Sequence, residues 1–194
     1  MGAFMLHKQL FLTLSLSALL LAGCSTTHYI SITPQVEVEN SGLTNNRVID
    51  VSTSTKLTST VGSIKTGINE YADIYTTNDI KASIRDSVLN GLREIGFTPD
   101  QGVLPAADLK IEITKMSYTT KVETLKTVAT LDFEIKAVLA AKGQTYKANY
   151  GSQKIEEYGT MPYQEDVQDD MNGLASQTVN RLLSDPNIIT LLKE

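Results

Sequence analysis

Two periodicities divide the chain. From Asn78 onward, apolar residues fall at Ile80, Ile84, Val88, Leu92 and Ile95, the spacing of one helical face, with charged residues opposite. Thr77 or Asn78 can cap the start of this helix. Gly96 stands where the chain must turn left-handed to leave it, and Phe97 can pack back on Leu92 as in a Schellman motif. A second helix is predicted from Pro162, with Val167, Met171, Leu174, Thr178 and Leu182 as its buried stripe. Asp185-Pro186 ends it and caps a short last helix that closes at Lys193.

The other periodicity is two. Val48, Ile49 and Val51, followed by a Ser/Thr run to Thr60, read as a β-branched strand and its exit. After a loop containing Asp100-Gln101-Gly102 and Pro105, Leu109, Ile111 and Ile113 alternate with Lys110, Glu112 and Thr114. In the longest alternating run, Leu125, Thr127, Ala129, Leu131, Phe133, Ile135, Ala137 and Leu139 share one face. Lys126, Thr130, Asp132, Glu134 and Lys136 take the other, which means a sheet with one wet face and hence antiparallel pairing. Lys142-Gly143 is a tight turn, and Tyr146, Ala148 and Tyr150 continue the next strand. The expected fold is therefore α+β and two-layered, in the order β-α-β-β-β-α. An antiparallel sheet of about four strands carries two amphipathic helices on one face. The domain is expected to span residues 47–194.

The start of the chain has a different pattern. His7 and Lys8 precede an apolar run from Leu10 to Leu20, interrupted by Thr13, Ser15 and Ser17, and small residues follow. This basic, apolar, small order is a secretory signal, and the run is shorter than the ~20 residues that span a bilayer. It ends in Leu21-Ala22-Gly23-Cys24, which resembles the lipobox of bacterial lipoproteins. The resemblance implies removal of residues 1–23 and a mature chain beginning at Cys24, whose thiol carries diacylglycerol and whose amine carries an acyl chain. Ser25 stands where Asp would retain such a protein at the inner membrane. The resemblance thus implies the periplasmic face of the outer membrane, with the inner membrane as the alternative. Met5 is an alternative start to Met1. Residues 24–46, rich in Ser, Thr, Asn and Gly, read as a tether, with Ile30, Ile32, Val36 and Val38 able to form short edge strands on either side of Pro34.

Composition narrows the chemistry. The formal charge is −5, and becomes −6 without Lys8 and the rest of the leader, so nucleic acid is disfavoured as a partner. One Cys and two His exclude an internal disulfide and leave too few ligands for a structural zinc. His28 is expected to be solvated in the tether, so no base is available for a Ser-His-Asp triad. The acids Glu156, Glu157, Glu165, Asp166, Asp169 and Asp170 suit a solvated helix start better than a cation site or a pair of hydrolytic carboxylates. Tyr118, Tyr146, Tyr150, Tyr158 and Tyr163 gather around the last strands and second helix, either filling a core that lacks Trp or offering a binding surface.

Val61-Gly62, Ala72-Asp73-Ile74 leading into Thr77-Asn78-Asp79, and above all Leu92-Arg93-Glu94-Ile95-Gly96-Phe97 resemble the YajG-like lipoproteins of Gram-negative bacteria. The resemblance covers most of residues 24–190 and implies a largely uncharacterised outer-membrane-associated lipoprotein with no catalytic residues to carry over. The resulting expectation is a non-catalytic, lipid-anchored binding or assembly component. It would need no cofactor or metal and would meet an envelope protein through Lys126, Lys136, Tyr146 and Tyr150, or through the open strand edge beside residues 144–156. The alternatives are an accessory subunit of a flagellar motor or secretion complex, and a glycan or cell-wall hydrolase.

Overall fold

The computed structural model describes residues 27–40, 47–99 and 104–193. The leader, Cys24, Ser25 and the turn-rich residues 41–46 and 100–103 lie outside them. The elements are β1 (His28–Ile30), β2 (Arg47–Thr55), β3 (Thr60–Lys65), β4 (Tyr71–Thr76), α1 (Ile80–Ile95), β5 (Leu104–Val122), β6 (Thr127–Ala141), β7 (Gln144–Tyr158), α2 (Gln164–Leu183) and α3 (Pro186–Lys193).

The expected sheet of about four antiparallel strands and two helices is corrected, among the described residues, to a seven-stranded mixed sheet with three helices, although the fold remains α+β. The strand order is β1-β4-β3-β5-β6-β7, and β2 lies beside β5. The 19-residue β5 organises it, because its first half pairs in parallel with β2 and its second half in parallel with β3. Ile49, Val51, Thr53 and Thr55 thus stand beside Ala107, Leu109, Ile111 and Ile113. On its other side β5 pairs antiparallel with β6, which pairs antiparallel with β7; in the other half the β3–β4 hairpin is antiparallel, and the pairings β1–β4, β2–β5 and β3–β5 are parallel. A register shift between Ile113 and Lys115 turns Met116 and Tyr118 to the core after the regular alternation. The run assigned to one strand from Leu125 begins instead at Thr127; Leu125 lies in the β5–β6 turn, closed by the Glu123 N–H donating to the Lys126 carbonyl at 2.8 Å.

Both long helices close as local chemistry requires. Asp79, rather than Thr77 or Asn78, caps α1 by accepting from the N–H groups of Lys81 and Ala82. Gly96 adopts φ 111°, and the N–H groups of Phe97 and Gly96 donate to the carbonyls of Leu92 and Arg93. This is the anticipated Schellman closure, with Phe97 buried. In α2 the expected stripe of Val167, Met171, Leu174, Thr178 and Leu182 is buried. Asp185 accepts from the N–H of Asn187 at the start of α3. Lys142 and Gly143 have φ of 50° and 75°, the left-handed pair of a two-residue hairpin turn.

The reading of residues 24–46 as a tether is corrected for residues 28–38. His28–Ile30 form β1, parallel to β4, and the chain then lies extended between α1 and α2. Backbone N–H groups of Tyr29, Ser31, Thr33, Gln35 and Glu37 donate in turn to the side chains of Gln164, Gln168, Asn172, Ser176 and Asn180. Two residues of extended chain rise about 6.6 Å and four residues of helix about 6.0 Å, so a polar side chain every fourth position on α2 meets every second amide. From the α1 side, Asn78 accepts from the Ile32 N–H at 2.9 Å and donates to its carbonyl at 2.8 Å. The alternate side chains Ile30, Ile32 and Pro34 are buried in between. His28, expected in water, is 4% exposed and its Nδ1 has no hydrogen-bond partner among the described residues; burial lowers its pKa from the ordinary 6.5.

Candidate binding face

Alternation along β5, β6 and β7 sends Leu109, Ile111, Leu131, Phe133, Ile135, Ala137 and Leu139 toward the helices and leaves the opposite sheet face to water. Register brings wet-face residues together that are remote in sequence. Lys110 and Lys147 flank Val138 from either side, and Lys136 lies in the next row between Glu112 and Asn149. Lys110, Lys136 and Lys147 are exposed, and none forms an ion pair among the described residues. Two strand spacings put Lys110 and Lys147 about 10 Å apart at the backbone. A cluster of three lysines therefore stands on this face, with Glu112 opposite Lys136 and Asp108 two residues before Lys110.

Further along the same face Asp132 is the centre of a polar network. It pairs with Lys115 at 3.1 Å and accepts from Gln153 at 2.8 Å and Ser117 at 3.2 Å. Burial pushes its pKa up, but these donors outweigh that and hold it below 3.8; the hydrogen bond to Asp132 raises that of Lys115. The outer edge of the face is β7, which among the described residues pairs only with β6 and presents a 15-residue strand edge. The Arg181 guanidinium donates to the Gly151 carbonyl and covers one point of that edge.

The four residues expected to bind a partner do not form one site. Lys126 stands at the β5–β6 tip, tied to Glu157 at 2.6 Å, and is ten residues from Lys136, about 33 Å along the strand. Tyr146 and Tyr150 lie on the helix side of the sheet, opposite Lys136, and donate their hydroxyls to Asp185 Oδ2 at 2.9 and 2.5 Å. Burial and the Asp185 carboxylate raise the Tyr150 pKa. Asp185 itself is pushed up by burial but held below its ordinary range by the bonds from Tyr150, the Asn187 backbone and Tyr146. Tyr158 donates likewise to Asp170, which also pairs with Lys154 at 2.8 Å; burial raises the Tyr158 pKa and lifts that of Tyr118 to about 12. The tyrosines thus seal the seam between β7 and α2, and a pocket of about 360 Å³ opens beside Tyr146 and Asn187.

The acidic group is similarly dispersed. Asp166 caps α2 by accepting from the Tyr163 N–H at 2.9 Å, Asp170 belongs to the seam, and Glu157 pairs with Lys126. Among the described residues, no three His, Cys, Asp or Glu side chains converge as metal ligands would. Lys110 and Lys147 were not among the residues singled out from sequence. Each belongs to an ordinary polar position, and only strand pairing assembles the patch.

Residues 34–193 match the family described as "Uncharacterized lipoprotein". Among solved structures, the chain is similar to XCC0632 from Xanthomonas campestris, assigned to DUF330. Identity is 11% and the TM-score 0.54, over 87% of this chain and 96% of that one, a likeness of fold alone. A PelC dodecamer from Paraburkholderia phytofirmans matches at 13% identity and a TM-score of 0.37, over 78% and 92%, too slight to argue from. No curated protein matches. No helix among the described residues is long and apolar enough to cross a membrane.

Proposed function

The chain belongs to this family of uncharacterized lipoproteins, and on that premise we propose that it is a non-catalytic, YajG-like component of the bacterial envelope. It is anchored by lipid on Cys24 after removal of residues 1–23. Ser25 directs it to the periplasmic face of the outer membrane, and residues 27–193 form the folded domain that meets a protein partner. The observation that carries the binding role is the patch of Lys110, Lys136 and Lys147 beside the unpaired β7 edge. Unpaired lysines cost little to bring against carboxylates, and a strand edge offers ready backbone donors and acceptors, so the partner is a protein with an acidic surface or extended segment.

Two experiments test this reading. Envelope fractionation and mass spectrometry should find thiol-linked diacylglycerol on the parent and release of the Cys24→Ser variant from membranes; an unmodified thiol overturns the anchor. Crosslinking from intact envelopes should recover a partner that the double variant Lys110→Glu, Lys136→Glu loses. Its melting temperature should fall only slightly, since both positions are exposed and the like-charge pair that Lys136→Glu makes with Glu112 costs about 0.2–1 kcal/mol. Equal recovery from parent and variant overturns the binding face.

A further inference from the structure

The exposed large apolar side chains are unevenly distributed. Ile68, in the β3–β4 turn, is 91% exposed, and Leu125, in the β5–β6 turn, is 87% exposed. Tyr71, Val122, Met161 and Tyr163 are also exposed. Strand pairing brings them to one end of the sheet. Lys65 pairs with Tyr71 below the first turn, and β3 runs parallel to β5 with Ser63 beside Thr119, so the two turns are neighbours at similar height. Thr127 pairs with Tyr158, which places the loop carrying Met161 and Tyr163 at that end too. At the opposite end the β6–β7 turn presents Lys142, Gly143 and Gln144.

The chain enters the fold on the same side. β1 is parallel to β4 with His28 beside Ile74, so residues before His28 approach from the Tyr71 end. Cys24 precedes His28 by four residues, and four residues reach at most about 14 Å. Because residues 28–38 are packed between the helices, they add no slack. A lipid on Cys24 must therefore hold this end, and not the lysine patch, against the bilayer. This end is not basic: Lys65, Lys121 and Lys126 stand against Glu70, Glu123 and Glu157, and Glu165 and Asp166 follow Tyr163 in the first turn of α2, so the contact rests on the apolar tips and the anchor and not on charge.

We propose that this end is a bilayer-contacting face, in which Ile68 and Leu125 enter the interfacial zone and Tyr71 and Tyr163 lie at head-group level. The proposal rests on the anchor at Cys24 and adds a second membrane signal to it, which also fixes the domain's orientation. Apolar side chains at a turn tip gain free energy on leaving water, and tyrosines suit the boundary because each has an apolar ring and a polar end. The lysine patch and the upper part of the β7 edge then point away from the lipid, toward the periplasm.

The chain contains no Trp, so single tryptophans report position without background. The acylated full chain carrying Ile68→Trp, Leu125→Trp or Gln144→Trp would be reconstituted into vesicles of phosphatidylethanolamine and phosphatidylglycerol containing doxyl-labelled lipid. For side chains buried about 5–10 Å into the interface, quenching at positions 68 and 125 should exceed that at 144 by about two-fold or more, with blue-shifted emission. Protein that floats with the vesicles but shows equal quenching at all three positions overturns the face and leaves the anchor standing. A full chain that does not float overturns the anchor and, with it, the face.

Discussion

At Gly62 the cost of a single methyl group can be read directly from the backbone. A Cβ there would stand 1.8 Å from the Tyr118 carbonyl oxygen, where β3 runs beside β5. Neither strand can yield without breaking its ladder, so Gly62→Ala should destabilise the fold by about 3 kcal/mol. Gly173, in α2, has nothing within 4 Å of the corresponding point, and Gly173→Ala should instead add about 0.5–1 kcal/mol through the helical backbone. Chemical denaturation of both variants checks the opposite signs. His28 supplies a pH effect. Its folded pKa is lowered from 6.5 by burial, so below that value the unfolded chain binds the extra proton. Its contribution is complete above pH 6.5 and is lost as pH falls through the folded pKa. Asp132 and Asp185 are also lowered, but from 3.8, so their contributions are lost only at more acidic pH. The melting temperature should fall from about pH 7 toward about pH 5, and His28→Leu should flatten that slope; a parent curve flat over this interval would contradict the assignment. Nothing in the sequence around His28 distinguished it from a solvated residue, because its burial depends on β4 and the helices, which are distant in the chain.

The segment with the least regular structure is nonetheless tied closely to the rest. Residues 29–37 are held along α2 by Gln164, Gln168, Asn172, Ser176 and Asn180, positions that a search for apolar stripes passes over as an ordinary polar face. Asn172 contributes twice, accepting from the Thr33 N–H at 2.6 Å and donating to the Ser31 carbonyl at 2.9 Å. Asn172→Ala removes both bonds without opening the apolar core and should cost about 1–2 kcal/mol. Hydrogen exchange should show the Thr33 amide losing protection while the amides of β6 retain theirs. Uniform loss across both would mean that the segment unfolds only with the whole domain. The strand edges follow a related logic. Alternation identified the inward residues of β6, but the partners of β2 and β3 were not legible, because the backbone groups that pair strands are the same at every residue. Short β4, with Tyr71 and Tyr75 outward and Ala72 and Ile74 inward, has apolar residues on both sides and gives no clean alternation.

For the whole molecule, contacts between residues 29–37 and 164–180 close the chain on itself, so the folded unit begins near residue 27 and not at 47. A chain starting at residue 47 should lose cooperative thermal unfolding and aggregate, since it exposes the apolar groove that Ile30, Ile32 and Pro34 fill, whereas one starting at 27 should unfold in a single transition. Circular dichroism and size-exclusion chromatography distinguish the two. The same closure puts His28 only four residues after Cys24, and the proposed bilayer contact rests on that short reach. The sequence alone determined both long helices and their buried stripes, the Gly96 closure, the Lys142-Gly143 turn and the inward face of β6. All of these depend on side chains a few residues apart, where periodicity and turn chemistry act. Only the tertiary structure decided the parallel pairing on β5, the packed course of residues 28–38, the assembly of Lys110, Lys136 and Lys147, and the clustering of Ile68 and Leu125 at one end. Those depend on which segments lie side by side, and that is set by burial summed over the whole core, a quantity that no local stretch of the chain contains.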